Sequence, residues 1–283
     1  MRTRRILAVL AVSLAGAAPA SGMGDPNVAA LQVALQARGT YRGTIDGERG
    51  PATTAALQRF QRRAGLVPDG VLGPETRRAL GKRGRPPYGS RVLGFGAVGW
   101  DVAALQFTLA WHGFPSGAID GHFGPRLDTA LRRFQTWAAL AADGLAGPAT
   151  YRALRAPLPR SPLSLSRPVA APVGDRFGPR GDRFHPGVDF PTLRGTPVGS
   201  ARTGTVVFAG RAGSYGRLIV LSHGRGVETW YAHLSQIRVS AGAYVARGRR
   251  IGLAGSSGRS SGPHLHFEVR VGGAAVDPLT ALR

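Results

Sequence analysis

Two histidines separated by one residue lie in the run Gly-Pro-His-Leu-His-Phe-Glu-Val near the end of the chain. The valine and phenylalanine of this run favour a β-strand, and the Gly-Pro pair marks its start. Side chains alternate along a strand, which places His264 and His266 on one face and Leu265 and Phe267 on the other. Two neighbouring imidazoles can bind a metal ion, or one can bind it while the other transfers protons. The pair alone is more often two solvated histidines, so its interpretation depends on the other histidines of the chain.

A second group of candidate ligands lies upstream, where His185 and Asp189 are separated by a turn-forming Pro-Gly-Val. A nitrogen of His185, an oxygen of Asp189 and a nitrogen of one of the two later histidines would give a metal ion three protein ligands. A fourth position would remain for water, which is the arrangement of a catalytic rather than a structural zinc. The chain contains no cysteine, so any such metal must be held by histidine and carboxylate groups. Between the two groups, Tyr-Ala-His-Leu-Ser places a further imidazole, His233, at the end of an apolar strand.

In chain order, His-x-x-x-Asp, Tyr-Ala-His-Leu-Ser and Gly-Pro-His-Leu-His-Phe-Glu-Val resemble the signatures of the M23 family of zinc metallopeptidases, the lysostaphin or LytM type. The resemblance covers roughly residues 171–283 and includes shorter matches, such as Arg-Phe-Gly-Pro-Arg at 176–180. One difference lies beside the site, since Phe190 stands where the family commonly has an aliphatic residue. The resemblance implies an antiparallel all-β domain with a groove, and the many short apolar segments between glycine-rich turns also favour one.

The resemblance also implies separate tasks for five polar residues. It assigns His185, Asp189 and His266 to Zn²⁺, and it makes His233 and His264 catalytic residues that do not bind the metal. Zinc would polarise the scissile carbonyl and lower the pKa of its bound water. One free imidazole would carry the proton to the leaving amine, and the other would hydrogen-bond the oxyanion. Which of the two histidines performs which task stays open.

Other residues of this region are candidates to line the site or to contact its ligands. Glu268 shares the strand face of the two histidines and is either a hydrogen-bonding partner of a ligand or an exposed glutamate. Tyr231 alternates onto the face of His233 and is expected to line the groove, as is Tyr215 in its glycine-rich loop. Arg180 could meet a substrate carboxylate, although an ion pair within the protein is the commoner fate of such an arginine.

The N-terminal half contains an ungapped repeat at an offset of 74 residues. Val-Ala-Ala-Leu-Gln at 28–32 returns at 102–106, and Ile-Asp-Gly at 45–47 returns at 119–121. Each copy is predicted to form three helices, because apolar residues recur at helical spacing and proline follows glycine where the second and third helices begin.

The repeated units resemble the peptidoglycan-binding domain 1 family, which consists of small three-helix units found on cell-wall enzymes. The resemblance implies attachment to the polymer, and two copies would add avidity. The alternative is that one or both copies are spacers. Asp46 and Asp120 could act as acids in catalysis, but their Asp-Gly context predicts turn or cap residues.

These patterns predict a multidomain chain of two all-α three-helix modules followed by an all-β, antiparallel metallopeptidase domain. We expect the modules at residues 25–82 and 97–156, a proline-rich linker at 157–170 and the peptidase domain at 171–283. A monomer is expected.

Residues 1–20 have the pattern of a signal peptide, with arginines first, then an apolar segment and the small-residue site Ala-Pro-Ala. An uncleaved anchor is the alternative, but the apolar run is shorter than a typical membrane span. We therefore expect a secreted protein that acts at the cell wall, with no stable membrane insertion after cleavage.

The formal net charge is +22, carried by arginines and a single lysine, Lys82. Such a charge is typical of nucleic-acid binding, but the arginines are dispersed and no nucleic-acid motif accompanies them, so we expect no nucleic-acid partner. An anionic wall or membrane surface is the expected counterpart. The alternative is that the arginines reflect a GC-rich genome and solubility.

Taken together, the sequence predicts a secreted zinc endopeptidase that cleaves peptide cross-links of bacterial peptidoglycan and is held on the wall by two modules. A non-catalytic wall-binding or hydrolase-activating protein with a degenerate peptidase domain is the alternative. Loss of one of the five polar residues would favour that alternative, and all five are present. The bond that is cleaved stays open among glycyl bridges, D-alanyl-diaminopimelate links and stem-peptide bonds.

Overall fold

The computed structural model describes residues 22–283, so the predicted signal peptide at residues 1–20 lies outside the described part. Helices occupy the first half of this range and strands the second half. The predicted fold class, helical modules followed by an antiparallel all-β domain, is confirmed. Within residues 22–283, no helix combines the length and apolar character needed to span a membrane.

The helices form two groups of three that follow the sequence repeat. Five of the six begin with proline, whose fixed φ suits a first turn and whose missing N–H is not needed there. The helices are α1 Pro26–Ala37, α2 Pro51–Arg63, α3 Pro74–Leu80, α4 Trp100–Trp111, α5 Pro125–Trp137 and α6 Pro148–Ala153.

A buried glutamine closes each Asp-Gly loop of the two modules. In the first loop, the Gln32 side chain donates to the Asp46 carboxylate at 2.6 Å and accepts from the Gly47 N–H at 3.0 Å. The same pair of hydrogen bonds recurs in three further loops, where the glutamines are Gln61, Gln106 and Gln135. Asp46 and Asp120 therefore act as turn residues, as the sequence predicts.

The two modules pack against each other through α1 and α4, whose apolar residues share one core. Trp100, at the start of α4, is buried in this core and donates its indole N–H to the Asn27 side chain at 3.2 Å. The Arg77 guanidinium lies over the same ring, 4.9 Å from its centre. The helical half is therefore a packed pair of modules.

The β domain consists of one large antiparallel sheet, one small sheet and a hairpin. The strands are β1 Gly178–Arg180, β2 Arg183–His185, β3 Val188–Pro191, β4 Pro197–Gly199, β5 Gly204–Ala212, β6 Gly216–Ser222, β7 Val227–Leu234, β8 Gln236–Ile237, β9 Tyr244–Val245, β10 Arg250–Leu253, β11 His264–Val271 and β12 Ala274–Val276. The large sheet has the strand order β12-β11-β7-β6-β5-β9, with β3 also paired to β11, and the small sheet has the order β4-β10-β8. The hairpin is β1-β2.

Part of the proline-rich segment at 157–170 packs onto the β domain. Leu165 and Val169 are buried in the same core cluster as the sheet residues. The Leu165 N–H donates to the Ala281 carbonyl at 2.9 Å, which ties this segment to the C-terminal end of the chain.

The turn of the β1-β2 hairpin contacts both helical modules. The Ile45 N–H donates to the Gly181 carbonyl at 2.8 Å, and the Ile119 N–H donates to the Asp182 carbonyl at 2.7 Å. Ile119 is the repeat counterpart of Ile45, so the two modules hold successive carbonyls of the turn with the same loop. Because the hairpin ends at His185, the helical half supports an element that carries a predicted metal ligand.

Candidate active site

Three strands bring the predicted metal ligands together. β2 ends at His185, β3 carries Asp189 and β11 carries His266. β3 and β11 pair in antiparallel register with Asp189 opposite His266. The other face of β11 packs Leu265 and Phe267 into the core, as the alternation predicts, so the two histidines of the strand lie on the opposite face.

The three side chains present one atom each to a common point. His185 Nε2 lies 3.1 Å from Asp189 Oδ1, His266 Nδ1 lies 2.8 Å from the same oxygen, and the two nitrogens are 3.1 Å apart. Two ligands of a tetrahedral zinc at about 2.0–2.1 Å from the ion lie about 3.3 Å apart. The observed triangle therefore has nearly the dimensions of a zinc ligand set.

The hydrogen bonds made by the far side of each ring show which nitrogen carries the hydrogen when the ring is neutral. His185 Nδ1 donates to the Arg176 carbonyl at 2.8 Å, and His266 Nε2 lies 2.9 Å from a Glu268 carboxylate oxygen, to which it donates. In the neutral rings, the nitrogens that face Asp189 consequently carry lone pairs. Two lone pairs and a carboxylate oxygen in contact repel one another unless a proton or a metal ion lies among them. The donor set, two imidazoles and a carboxylate with no sulfur, fits Zn²⁺.

The charges around His266 favour a cation at the same place. Burial lowers the pKa of His266, but the neighbouring Asp189 and Glu268 carboxylates outweigh this effect and raise the pKa to about 9. Burial likewise raises the pKa of Asp189, yet hydrogen bonds from His185 and His266, made when those nitrogens carry a proton, hold it well below its usual range. The pocket is thus negative enough to hold either a proton or a metal ion.

Glu268 is fully buried and holds the outer side of His266. Tyr215 donates its hydroxyl to Glu268 at 2.7 Å, and Arg270 donates to it at 2.8 Å. Burial raises the pKa of Glu268, but Arg270 and His266 lower it to about 2, so the group is a carboxylate at neutral pH. Of the two sequence-based alternatives for Glu268, the hydrogen-bonding partner of a ligand is therefore the one that the structure shows.

Arg180 forms an ion pair within the protein. Its guanidinium donates to Asp189 Oδ2 at 2.8 Å and also contacts the Asp175 carboxylate. Asp189 thus offers Oδ1 to the metal position while Arg180 fixes Oδ2.

His233 and His264 lie beside the ligand triangle without joining it. Their ring centres are 4.8 Å apart, and that of His233 lies 5.8 Å from that of His266. His233 Nδ1 donates to the Ser257 carbonyl at 2.8 Å, and His264 Nδ1 donates to the Gly262 carbonyl at 2.9 Å. Both rings consequently keep Nε2 free as an acceptor when neutral. Burial lowers the pKa of His233, which keeps that ring neutral at neutral pH.

These groups line a cleft of about 610 Å³. Tyr215 lies in its wall, as predicted, together with all five predicted site residues and the arginines Arg180, Arg183 and Arg259. The prediction for Tyr231 is wrong. Its ring is fully buried in the β-domain core, and its hydroxyl accepts from the Ala201 N–H at 2.9 Å.

Sequence reasoning missed Arg270 and the carbonyl partners of the histidines. Arg270 follows Glu268 by two residues and therefore shares its strand face, a signal that was available in the sequence. The Arg176 and Ser257 carbonyls are contributed by distant backbone and carry no such signal.

Two families match the chain. Residues 183–278 match the family described as "Peptidase family M23", and residues 24–80 and 99–154 match the family described as "Putative peptidoglycan binding domain".

Individual relatives match part of the chain. DD-carboxypeptidase/endopeptidase Mpg of Neisseria meningitidis serogroup B is 43% identical over 121 residues, which are 42% of this chain and 28% of that protein. Peptidoglycan DD-endopeptidase ShyA of Vibrio cholerae is 43% identical over 118 residues, which are 38% of this chain and 27% of that protein. The chain therefore spans little more than a quarter of the length of these curated relatives. Among solved structures, the catalytic domain of the antimicrobial peptidase lysostaphin from Staphylococcus simulans is 37% identical, with a TM-score of 0.37 over 38% of this chain and 90% of that one.

Proposed function

We propose that the protein is a zinc-dependent endopeptidase that hydrolyses peptide cross-links of bacterial peptidoglycan. The premise is that residues 183–278 match peptidase family M23 and that residues 24–80 and 99–154 match the peptidoglycan-binding domain family. The two modules hold the enzyme on its insoluble substrate. The observation that carries the proposal is the contact of three acceptor atoms, from His185, Asp189 and His266, at the floor of an open cleft.

The proposed ligand set is His185 Nε2, Asp189 Oδ1 and His266 Nδ1. When bound there, zinc supplies a Lewis acid for the scissile carbonyl and lowers the pKa of a water molecule. Arg180 keeps the second oxygen of Asp189 occupied, and Glu268 keeps His266 in the tautomer whose Nδ1 can bind a metal.

His233 and His264 are the proposed catalytic residues. Each ring is oriented by a backbone carbonyl at Nδ1, which leaves Nε2 to receive or deliver a proton in the cleft. His264 Nε2 lies 3.8 Å from Asp189 Oδ1, beside the metal position. A ring that carries a proton at Nε2 can also donate a hydrogen bond to the developing oxyanion.

The proposed place of action is the cell wall. The predicted signal peptide at residues 1–20 supports export, and the two modules support attachment to peptidoglycan. We propose a monomer that has peptidoglycan as both substrate and anchor and that has no nucleic-acid partner.

The test is mass spectrometry of the fragments that the mature protein releases from purified peptidoglycan, with and without a zinc chelator. New amino termini that appear only without chelator would establish the activity and identify the bond. Wall binding without any release, at full zinc occupancy, would instead support a non-catalytic wall-binding protein.

A further inference from the structure

The second helical module is docked onto the β domain through one face. Trp111 packs edge-on against Phe184, with ring centres 5.3 Å apart, and Trp137 donates its indole N–H to the Val271 carbonyl at 3.2 Å. The Gly113 carbonyl accepts from the Ala275 N–H at 3.1 Å. These contacts lie at the end of α4, in the loop that follows it and at the end of α5, and we call this surface the docking face.

The same positions of the first module carry different residues. At the repeat offset of 74, Trp111 corresponds to Ala37, and Trp137 corresponds to Arg63. Three neighbouring positions, occupied in the second module by His112, Ser116 and Thr136, are all arginine in the first module. The repeat has therefore diverged at the docking face, where four of these five positions are arginine in the first module and none is arginine in the second.

The first module thus carries an arginine face, which consists of Arg38, Arg42, Arg59, Arg62 and Arg63. All five residues are exposed, and within residues 22–283 none of them forms an ion pair. Neither segment that contributes them, 36–42 or 59–66, contains an acidic residue.

The arginines form one surface. Arg59, Arg62 and Arg63 follow one another at i, i+3 and i+4 on α2, so they share one side of that helix. Arg59 also donates to the Thr40 carbonyl at 2.8 Å, which joins this side of α2 to the loop that carries the other two arginines. Like charges at this spacing repel one another, so the grouping is unfavourable for the isolated module.

The basic surface continues towards the junction of the two modules. Arg38 donates to the Leu80 carbonyl at 3.1 Å. The next residue, Gly81, lines a cavity of about 610 Å³ together with Arg78, Lys82 and Arg85. A long anionic chain could therefore contact cations from α2 to the module junction.

We propose that the arginine face binds an anionic polymer of the cell wall, one that carries carboxylate or phosphate groups at intervals. The inference rests on the proposed function, which places the protein at the cell wall. It assigns a different role to each of the two modules. The second module packs against the β domain, while the first module binds the wall through electrostatic attraction. A β domain of another copy is not the partner that the structure favours, because the region around Val271 and Ala275 is already covered by that copy's own second module.

The test compares two triple variants of the full mature chain for binding to purified cell walls. The first, Arg42→Gln, Arg62→Gln and Arg63→Gln, removes three charges from the arginine face without removing a side-chain hydrogen bond of the fold. The control, Arg126→Gln, Arg152→Gln and Arg155→Gln, removes three exposed arginines from the second module, none of which is in an ion pair within residues 22–283.

We expect the arginine-face variant to bind walls about tenfold more weakly at low salt, and the control to change less than about twofold. The difference should shrink as salt is raised, because ions screen exposed charges. An equal loss in both variants, or no loss in either, would overturn the proposal, as would tighter binding of the wild type to DNA than to walls at physiological salt.

Two treatments of the wall distinguish the source of the anions. If amidation of wall carboxylates removes the difference between the variants, the ligand is the peptide of peptidoglycan itself. If removal of phosphate-linked polymers does so, the ligand is a phosphate polymer, and persistence of the difference after both treatments would contradict an anionic ligand.

Hydrolysis of a soluble cross-linked muropeptide is the separate readout for the enzyme. We expect equal rates for wild type and both variants. If wild type shows no hydrolysis, the proposed activity fails, and the binding comparison still decides the role of the arginine face.

Discussion

The helical modules and the β domain both bury polar side chains, but they pair them in opposite ways. In the modules, Gln32 donates to the Asp46 carboxylate and accepts from the Gly47 N–H, so each donor meets an acceptor. In the β domain, ring nitrogens of two histidines meet a carboxylate oxygen at 2.8–3.1 Å, and neither nitrogen carries a hydrogen when its ring is neutral. A saturated network of the first kind stabilises a loop, whereas acceptors placed against acceptors need a proton or a metal ion between them.

This comparison distinguishes buried polar side chains that stabilise a loop from those that form a functional site, and it does so without reference to sequence motifs. Both networks contain aspartates that lie close to glycine in the sequence. The two kinds of network differ in what they still need. Every donor and acceptor of the glutamine networks is paired, whereas the neutral histidine network needs a positive charge. Five variants test the comparison.

The largest effect is expected for His266→Ala. Removal of Nδ1 leaves two protein ligands, so we expect loss of bound zinc and a fall in peptide hydrolysis to the uncatalysed background. Zinc content by mass spectrometry and release of wall fragments are the measurements. If the variant retains stoichiometric zinc at the site, the three atoms of His185, Asp189 and His266 are not the ligand set, and the comparison fails.

His264→Ala should separate chemistry from metal binding. The ring touches the ligand triangle only at its edge, so zinc should stay bound while kcat falls by about 10²–10⁴-fold, the usual contribution of a general acid or base. The measurement is hydrolysis of a soluble muropeptide at equal zinc occupancy. Full activity in this variant would remove His264 from the proposed mechanism.

Glu268→Gln should weaken zinc binding by about 10–100-fold, because the outer partner of a metal-bound histidine sets its tautomer and basicity. Zinc affinity is measured by competition with a chelator of known strength. Tyr215→Phe is the matched control, since it removes another hydrogen bond to the same carboxylate and leaves the contact with His266 intact. Equal losses in the two variants would point to packing rather than to orientation of His266.

Gln106→Ala should lower the free energy of unfolding of the second module by about 1–3 kcal/mol, because it leaves buried backbone groups without partners. Zinc content and the hydrolysis of soluble peptide should not change at temperatures where the chain is folded. Gln36→Ala is the control, a glutamine on α1 that is only partly buried. Urea unfolding gives the stability, and a loss of zinc in Gln106→Ala would contradict a purely structural role.

Trp111→Ala should give the smallest change that the five variants produce, a few-fold loss of zinc affinity. The indole supports Phe184, which precedes His185 on β2, and the second module supports the hairpin turn through Ile119. Phe95→Ala is the control, because this aromatic side chain is 71% exposed. An unchanged zinc affinity in Trp111→Ala would show that the β domain holds the hairpin without help from the helices.

Much of this arrangement could be predicted from the sequence, because the relevant patterns are local. The alternation of a strand places His264 and His266 on one face whatever the rest of the chain does, and the structure confirms it. The repeat and its Gly-Pro helix starts likewise predict two similar three-helix modules.

The error at Tyr231 shows where local alternation stops. Tyr231 lies opposite Phe267 and packs in the core, so strict alternation would also turn His233 inward. His233 instead has a left-handed backbone, with φ of 59°, and the register of β6 with β7 shifts nearby. This break in the strand, which no side-chain pattern marks, directs the imidazole into the cleft.

The sequence by itself determined which groups are available for chemistry and which elements carry them, because both depend on residue type and short-range spacing. Only the tertiary structure decided that lone pairs of His185 and His266 face Asp189, that Glu268 is buried, and that one module docks while the other exposes arginines. Those outcomes depend on contacts between segments that are distant in the chain, and such contacts are set by packing and strand register rather than by local pattern.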